Sequence, residues 1–296
     1  MSKKSKAATK SKSAKKAKGA AKRTIRGAWS VATSARQPVK ERVEALAEVP
    51  RAVCEKDENL QKVLKILRNK DEAVEVRLAA LQTLQAASFS VIAFESCRGD
   101  YIAALREIIA DPNMEIRQRA LGILSREKDG FAQKRLLEGL EKPEKALVPP
   151  EKALQFLSYD IHAEAYPLAR EIVSNPPNAD AKREALRLLA ADAKSVPIFE
   201  KVLQDKDEMA ENRQIAASAL QALKPEKLQD RAREILLDKG EYDDIQATSL
   251  TALTQFGDEE EVAGDKALLK RIDDLSDAKS TKLKQSARRF LTKYGK

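Results

Sequence analysis

The sequence predicts an all-α fold, an α-solenoid of about seven helix pairs, and a repeated pattern is the main reason. Seven times, a small residue is followed four positions later by a leucine, and successive leucines lie 31 to 40 residues apart. Such a period is typical of solenoids, in which each repeat buries its apolar face by stacking on its neighbours. The pairs are Ala80/Leu84, Ala120/Leu124, Ala153/Leu157, Ala185/Leu189, Ala216/Leu220, Ser249/Leu253 and Ala287/Leu291.

Composition supports helices along most of the chain. Hydrophobic residues make up 43% of the sequence but aromatic residues only 4%, which predicts a core of Ala, Leu, Ile and Val. Glycine occurs only ten times in 296 residues, and the residue types that lose little side-chain freedom in a helix are plentiful. No run of alternating β-branched residues is long enough to predict a sheet. The nearest, residues 89–94, fits the end of a helix or a buried turn better.

Charge is distributed unevenly. Residues 1–40 contain 13 of the 55 Lys and Arg residues and no Asp or Glu. The other 256 residues therefore hold 42 basic and 46 acidic side chains, a net charge of −4. The isoelectric point of about 9.3 reflects the N-terminal segment, so the body of the protein is not predicted to be a basic nucleic-acid-binding domain.

Residues 1–38 are predicted to be a disordered basic tail rich in Lys, Ala and Ser, because they contain too few apolar residues to offset the entropy of ordering. The stretch KKSKAATKSKSAKKAKGAAKR resembles the tails of linker histones and of some bacterial nucleoid proteins. Such a polycation binds DNA, RNA or an anionic membrane by counterion release, and a solubilising extension without a partner is the alternative. The predicted polyanion-binding residues are Lys3, Lys4, Lys6, Lys10, Lys12, Lys15, Lys16, Lys18, Lys22, Arg23 and Arg26.

Residues 39–296 are predicted to form the repeat array, and its ends differ from its middle. The segment 39–57, which contains VKERVEALAEV, is predicted to be an N-terminal capping helix. In each following repeat, a turn rich in Asp, Asn and Pro connects an amphipathic first helix to the second, as at Asp111-Pro112-Asn113. Residues 280–296 are predicted to be a C-terminal capping helix. Arg288 stands there where most earlier repeats have leucine, so one side of the helix need not be buried.

Two of the second helices carry a family motif. The stretches VEVRLAALQTL (74–84) and MEIRQRALGIL (114–124) resemble the second-helix motif of HEAT repeats, with its Val/Ile-Arg step and an Asp in the preceding turn. The resemblance covers roughly residues 58 to 296 and is weakest around Pro150. It implies a right-handed superhelix whose second helices line a concave surface used mainly for protein contacts. It also implies a ladder of polar contacts between repeats, with ligand binding as the alternative role. The ladder residues would be Asp71, Arg77, Asp111, Arg117, Asp207 and Arg213.

No catalytic, cofactor-binding or metal-binding residues are predicted. His162 is the only histidine, which argues against metal sites with several histidines and most histidine-based triads, and no glycine-rich phosphate-binding motif is present. Cys54 and Cys97 are far apart in the sequence and lack a CxxC spacing, which fits a reducing compartment or a protein indifferent to redox state. A reactive Cys97 thiol beside Arg98 is the alternative. The protein is predicted to be cytoplasmic, while association with a nucleoid or nucleus and an organelle transit peptide stay open.

These observations predict a non-enzymatic scaffold. Its solenoid would present a surface to a protein partner, and its tail would add non-specific affinity for polyanions. One alternative is a nucleic-acid-associated protein bound mainly through the tail. The other is a HEAT-like lyase or DNA glycosylase, which is disfavoured because the positions expected on the concave surface carry mixed side chains without a consistent chemistry. The sequence leaves the identity of the partner and the oligomeric state open.

Overall fold

The computed structural model describes residues 23–160 and 163–294, and within these ranges every regular element is a helix. The all-α prediction is therefore confirmed for the described part of the chain. The protein divides into two compact units, Met1–Tyr101 and Ile102–Lys296, and the boundary falls inside one helix. None of the helices in these ranges has both the length and the apolar character needed to cross a bilayer.

The first unit is built from four helices and the start of a fifth. They are α1 (Ile25–Thr33), α2 (Val39–Ala47), α3 (Asp57–Arg68), α4 (Val74–Ser88) and the beginning of α5 (Val91–Ile108), with a 3-10 helix at Pro50–Glu55. α1 packs on α2, and α2 and α3 both pack on α4. Leu46, Leu64, Leu67 and Leu84 are fully enclosed between them and form the centre of this core.

The predicted boundary of the tail at residue 38 is wrong. Residues Ile25–Thr33 form α1, whose first turn is capped by the Thr24 hydroxyl, which accepts a hydrogen bond from the Gly27 amide. The face that carries Ala28, Trp29 and Ala32 is buried. These apolar residues recur at helical spacing, and their burial stabilises α1. The lysine-rich sequence before α1 has no such apolar residues. The prediction for residues 1–22 lies outside the described residues.

The two cysteines, which lie far apart in the sequence, meet in the fold. Cys54 in the 3-10 helix and Cys97 in α5 form a disulfide, with their Sγ atoms 2.16 Å apart. The two cysteines are separated by 43 positions in the sequence, so no short sequence motif predicts the disulfide. Because disulfides persist mainly in oxidising surroundings, cysteine usage no longer supports a reducing compartment, and the alternative of a reactive Cys97 thiol is excluded while the bridge is formed.

The second unit continues with one helix after another. They are α6 (Met114–Arg126), α7 (Gly130–Glu141), α8 (Pro150–Leu157), α9 (Tyr166–Ser174), α10 (Ala179–Leu189), α11 (Val196–Gln204), α12 (Ala210–Leu223), α13 (Pro225–Leu237), α14 (Asp243–Phe256), α15 (Glu259–Gly264), α16 (Lys266–Leu275) and α17 (Thr281–Tyr294). Side-chain caps begin several of them. The Asn113 and Asn178 amide oxygens, for example, accept from the amides of Ile116 and Ala181. These are positions where the turn sequences predicted caps.

The repeated small–leucine pattern marks the second helix of each pair, as predicted. All seven small residues are buried, and six of the seven leucines are buried as well. Within the second unit, α8 packs on α6 and α10, α12 on α10 and α14, and α14 on α17, so second helices follow each other in a row. The first helices α9, α11 and α13 pack against their own partners α10, α12 and α14. The fold is a HEAT-like helical solenoid.

The last repeat differs from the others in the way the sequence indicated. Leu291 is only half-buried, and Arg288 is 63% exposed and lies 3.8 Å from the Asp277 carboxylate. Tyr294 closes the other side of α17. Its hydroxyl donates to the carbonyl oxygen of Gly257 at 3.2 Å, while its ring packs against Phe290.

Candidate functional sites

A buried ion pair connects two repeats in the second unit. Arg213 near the start of α12 donates from Nη1 and Nη2 to the two carboxylate oxygens of Glu241, at 2.9 and 2.6 Å. The side chains are 3% and 0% exposed. Burial alone would raise the pKa of Glu241, but the hydrogen bonds from Arg213 and Lys206 outweigh it and hold this pKa below its ordinary value. Glu241 is therefore a paired carboxylate rather than a free base.

The same pair forms the wall of a small charged pocket of about 80 Å³. Lys206 donates to Glu241 at 2.6 Å and to Asp238 at 2.7 Å, and Arg231 lies 3.7 Å from Glu234. The pocket thus holds three cationic and three anionic side chains, whose charges cancel. Because every carboxylate in it already has a cationic partner, we interpret this cluster as a connection between repeats.

Three buried arginines repeat one geometry. Arg42, Arg77 and Arg213 each donate from Nε, at 3.0 to 3.1 Å, to a carbonyl oxygen ten residues earlier. The accepting carbonyls belong to Ala32, Leu67 and Leu203, the residues before the last of α1, α3 and α11. The last carbonyls of a helix have no partner within it, so the arginine satisfies a group that burial would otherwise leave unpaired.

Two glutamates that were not predicted pair with basic side chains of neighbouring repeats. Asp71 and Asp207 are exposed on their turns, whereas the glutamates that follow them, Glu72 and Glu208, point to basic side chains. The Glu72 carboxylate accepts hydrogen bonds from Nη1 and Nη2 of Arg42, at 2.8 and 2.5 Å. These hydrogen bonds hold the pKa of Glu72 below its usual range. Glu208 accepts from Lys182. The prediction missed the glutamates because the family motif places the acid one residue earlier.

Two other predicted ladder residues, Arg117 and Asp111, make hydrogen bonds to main-chain groups. The Arg117 guanidinium donates to the main-chain oxygen of Asp111 at 2.6 Å and from Nε to that of Leu147 at 2.9 Å. The Asp111 carboxylate is buried and accepts from the Asn113 amide. Arg42 was not predicted. Its signal was present in the sequence, however, since it stands three residues before a buried alanine, Ala45, as Arg77 stands before Ala80.

The predicted polyanion-binding residues fall into two groups. Lys3, Lys4, Lys6, Lys10, Lys12, Lys15, Lys16, Lys18 and Lys22 lie outside the described residues. Arg23 is not a free cation, because its Nη1 lies 3.2 Å from a carboxylate oxygen of Glu48. Arg26 is exposed on α1.

A cavity of about 550 Å³ lies in the second unit, between the C-terminal ends of α7 and α9. Leu140, Leu168, Ile172 and the prolines Pro143, Pro150 and Pro177 contribute most of its apolar wall. Glu141, Glu171 and Asn175 are its polar residues, and no Lys, Arg or His lines it. We call this site the α7–α9 cavity.

A glycine allows the wall of this cavity to close. The 3-10 turn Pro143–Lys145 and Ala146 fold back against α7 at Gly139. A Cβ atom at Gly139 would lie 2.9 Å from the Ala146 Cα, closer than such atoms approach in proteins. The family resemblance is weakest around Pro150. In the same repeat, the α7–α8 connection folds back against α7.

A second, shallow depression of about 280 Å³ lies on the second helices α10 and α12. Its charged residue is Arg187, which donates to Glu184 at 2.7 Å and to Glu211 at 2.8 Å. The rest of the lining is polar or apolar without a common chemistry, as the sequence predicted for these helices. Within the described ranges, no group of three His, Cys, Asp or Glu residues could hold a metal ion, and His162 lies outside them.

Comparison with known proteins assigns no family to the chain. No family model and no curated protein matches the chain. Among solved structures, the complex of CpcE and CpcF of phycocyanin lyase from Nostoc sp. PCC7120 is 15% identical, covers 89% of this chain and 98% of that one, and gives a TM-score of 0.41. An engineered protein is 14% identical over 92% and 89% of the two chains, with a TM-score of 0.47. Human deoxyhypusine hydroxylase in complex with glycerol is 14% identical over 83% and 99%, with a TM-score of 0.35.

These likenesses concern the fold alone, and they correct one prediction. The expectation that the protein is not an enzyme is contradicted, because two of the similar structures are a lyase and a hydroxylase. A helical solenoid with a mixed concave surface is therefore no reason to exclude catalysis. The fold class is a HEAT-like α-helical solenoid.

Proposed function

We propose that the protein binds a protein partner and that the α7–α9 cavity receives a segment of it. The observation that carries the proposal is the lining of this cavity, which is apolar on most sides and has two carboxylates but no cation. A volume of about 550 Å³ falls within the range of ligand-binding pockets and would accommodate a few side chains of a peptide.

The charge of the site favours a basic segment. Glu141 and Glu171 are exposed at the rim, and the cavity lies at the C-terminal ends of α7 and α9. The last carbonyls of a helix give its C-terminus a partial negative charge, which adds to that of the two carboxylates. Lysine and arginine carry a long aliphatic stem and a charged head, so a basic side chain beside an apolar one matches both parts of the lining.

A peptide pair tests this proposal in the full-length protein. The probe is a labelled synthetic peptide with leucines flanking an arginine, and its partner has glutamate in place of that arginine. We expect binding of the basic peptide alone, and a loss of tenfold or more in affinity for the variant Glu141→Gln/Glu171→Gln, measured by fluorescence anisotropy. Glu144→Gln is the matched control, because Glu144 is an exposed carboxylate of the same connection that does not line the cavity. Equal binding of the two peptides, or equal loss in the control, would contradict the proposal.

A second candidate function concerns the N-terminal segment. We infer that residues 1–22, which contain nine lysines and no acidic residue, give the protein non-specific affinity for polyanions such as DNA or RNA. The test replaces those nine lysines by glutamine in the full-length chain. This leaves α1 and the Arg23–Glu48 pair intact, which a deletion to residue 38 would not. Affinity for a DNA duplex should fall steeply with salt in the wild type and be lost in the variant. Undiminished binding by the variant would assign the binding to the helical units instead.

A further inference from the structure

The first half of α5, residues 91–100, has little buried surface. Large apolar side chains are exposed where α4 leads into it, namely Phe89 at 81%, Val91 at 69% and Ile92 at 95%. Of the ten residues in this half, only Phe94 and Cys97 are buried. Two side chains therefore supply its buried contacts, and one of the two belongs to the disulfide with Cys54.

The helix is better anchored from the end of this half onward. Tyr101 is 3% exposed, and the Asp100 carboxylate accepts a hydrogen bond from the Gln61 side chain of α3 at 2.9 Å. Gly99 lies between these anchors and Cys97, and a Cβ atom there would meet nothing within 4 Å. No close contact requires glycine at this position, and glycine inside a helix makes the helix less stable. The helix is therefore weakest directly after Cys97.

The other side of the disulfide is fixed in the core of the first unit. Cys54 belongs to the 3-10 helix Pro50–Glu55, which packs on α3 and α4. Ala52 and Val53 of this 3-10 helix are buried, and the Ala52 carbonyl accepts from the Asn59 side chain at 2.9 Å. When the disulfide opens, the first half of α5 therefore gains freedom, whereas the 3-10 helix keeps its other contacts.

The two cysteines differ in their access to solvent. Cys97 is 4% exposed, whereas Cys54 is partly exposed. A disulfide is opened by a thiolate that attacks one of its sulfurs, and the rate depends on which sulfur the thiolate can reach. An incoming thiolate therefore reaches the Cys54 sulfur first, and the Cys97 sulfur is the leaving group.

We propose that the Cys54–Cys97 disulfide is a redox switch, which a dithiol reductant opens and which controls the attachment of the first half of α5. One thiolate of the reductant bonds to the Cys54 sulfur as the S–S bond breaks, and Cys97 leaves as a thiolate that takes a proton from water. The second thiol of the reductant then displaces Cys54. The reductant becomes a disulfide, and the protein gains two thiols. The switch lies in the first unit and does not involve the α7–α9 cavity, so each proposal can fail by itself.

Mapping of the mixed disulfide tests the direction of attack. The full-length protein is exposed briefly to glutathione, a monothiol, and free thiols are then blocked with N-ethylmaleimide. Trypsin places the two cysteines on different peptides, residues 52–56 and 78–98, which mass spectrometry distinguishes. At early times we expect about tenfold more glutathione on Cys54 than on Cys97. Equal amounts on the two cysteines, or an excess on Cys97, would overturn the assignment of Cys54 as the attacked sulfur.

Hydrogen exchange in the full-length protein tests the release of α5. Dithiothreitol should make the amides of residues 94–98 exchange about tenfold faster or more, while α3 and α4 stay the better protected helices. Oxidised glutathione should then restore slow exchange, because a switch must be reversible. If residues 94–98 stay equally protected after reduction, or if α3 and α4 lose protection together with them, the disulfide is a passive crosslink and the proposal is wrong.

Two variants serve as controls for this measurement. Cys54→Ser/Cys97→Ser should exchange like the reduced wild type and show no response to dithiothreitol. Gly99→Ala keeps the disulfide and adds a methyl group that meets no other atom, so it should strengthen the helix and lessen the response of residues 94–98 to reduction. A response in the double cysteine variant would show that dithiothreitol acts elsewhere, which would also refute the switch.

Discussion

Arginine has one recurring function in this protein, which is to connect the end of one helix to the start of the next. Arg42, Arg77 and Arg213 each reach the carbonyl before the last of the preceding helix. Arg42 and Arg213 also form a bidentate ion pair with a glutamate in the turn of the next helix pair. A planar guanidinium with several donors can bind both groups at once, which an ammonium group cannot do with the same geometry. The arrangement fixes neighbouring helices relative to each other.

Replacing one of these buried arginines should therefore lower the free energy of unfolding more than replacing an exposed one. We expect Arg213→Met to destabilise the second unit by about 3 kcal/mol, because Glu241 would stay buried with Lys206 as its only cationic partner. Urea unfolding and hydrogen exchange in α12 to α14 measure the change. Arg119→Met, which removes the exposed pair with Glu115, should change stability by less than about 0.5 kcal/mol. Similar effects of the two substitutions would count against a special role of the buried pair.

Acid should weaken the same connection. The pKa of Glu241 is below its ordinary value in the folded protein, so its pairing stabilises the fold above the unfolded pKa of about 4.3 and is lost as the pH falls through the lower folded value. We expect the stability of the second unit to fall steeply below about pH 4.3. The fall should be shallower in Glu241→Gln, which has no carboxylate to protonate there. Unfolding by urea at several pH values gives both slopes, and identical slopes would refute this contribution.

Among the elements, the α7–α8 connection is the one whose shape decides a candidate site. Its 3-10 turn folds back on α7, and together with the ends of α7 and α9 it encloses the α7–α9 cavity. The close approach depends on the missing side chain of Gly139, and three prolines restrict the turns around it. The surface offered to a ligand therefore combines the ends of α7 and α9 with the turn that folds back between them.

Gly139→Ala should open this connection. The added Cβ would meet the main chain of Ala146, which cannot move aside as a flexible side chain does, so we expect a loss of about 1 to 3 kcal/mol. Faster hydrogen exchange should be confined to residues 139–150, and the basic peptide should bind more weakly. Gly130→Ala is the matched control, because a Cβ there meets nothing within 4 Å. Unchanged exchange in Gly139→Ala would show that the turn adapts without cost.

On the scale of the whole molecule, the two compact units differ in how they are stabilised. The second is a row of helix pairs in which each repeat covers the next. The first has fewer helices and a disulfide between Cys54 and Cys97, which closes a loop of 43 positions. A crosslink of this separation removes conformations from the unfolded chain and so stabilises the folded unit.

Loss of the crosslink should affect the first unit selectively. We expect Cys54→Ser/Cys97→Ser to lower its stability by roughly 2 to 4 kcal/mol. Trp29 is the only tryptophan, lies buried in α1 and reports on this unit by its fluorescence. Dithiothreitol should shift the unfolding of the wild type to that of the variant and leave the variant unchanged. If reductant leaves the wild type unchanged, the disulfide does not stabilise this unit.

Features that depend on residues close together in the sequence could be predicted, whereas contacts between distant residues could not. The small–leucine pairs predicted the second helices because helical periodicity is local, and burial of those residues confirms it. The same pattern missed α1, since Trp29 and its apolar neighbours stand outside the repeat and next to a lysine-rich segment. Arg77 and Arg213 were located from the motif, but Arg42 was not. The partners Glu72 and Glu241 depend on how one turn faces the neighbouring helix pair.

The sequence by itself determined the helical class, the repeats and the separation of a basic segment from a mildly acidic body, because each depends on residues a few positions apart or on composition. Tertiary structure alone decided the Cys54–Cys97 bridge, the α7–α9 cavity and the exposure of Phe89, Val91 and Ile92. Each of these features depends on whether residues that are distant in the sequence, or that belong to different helices, come into contact. Their distances are set by helix packing, which local periodicity does not encode.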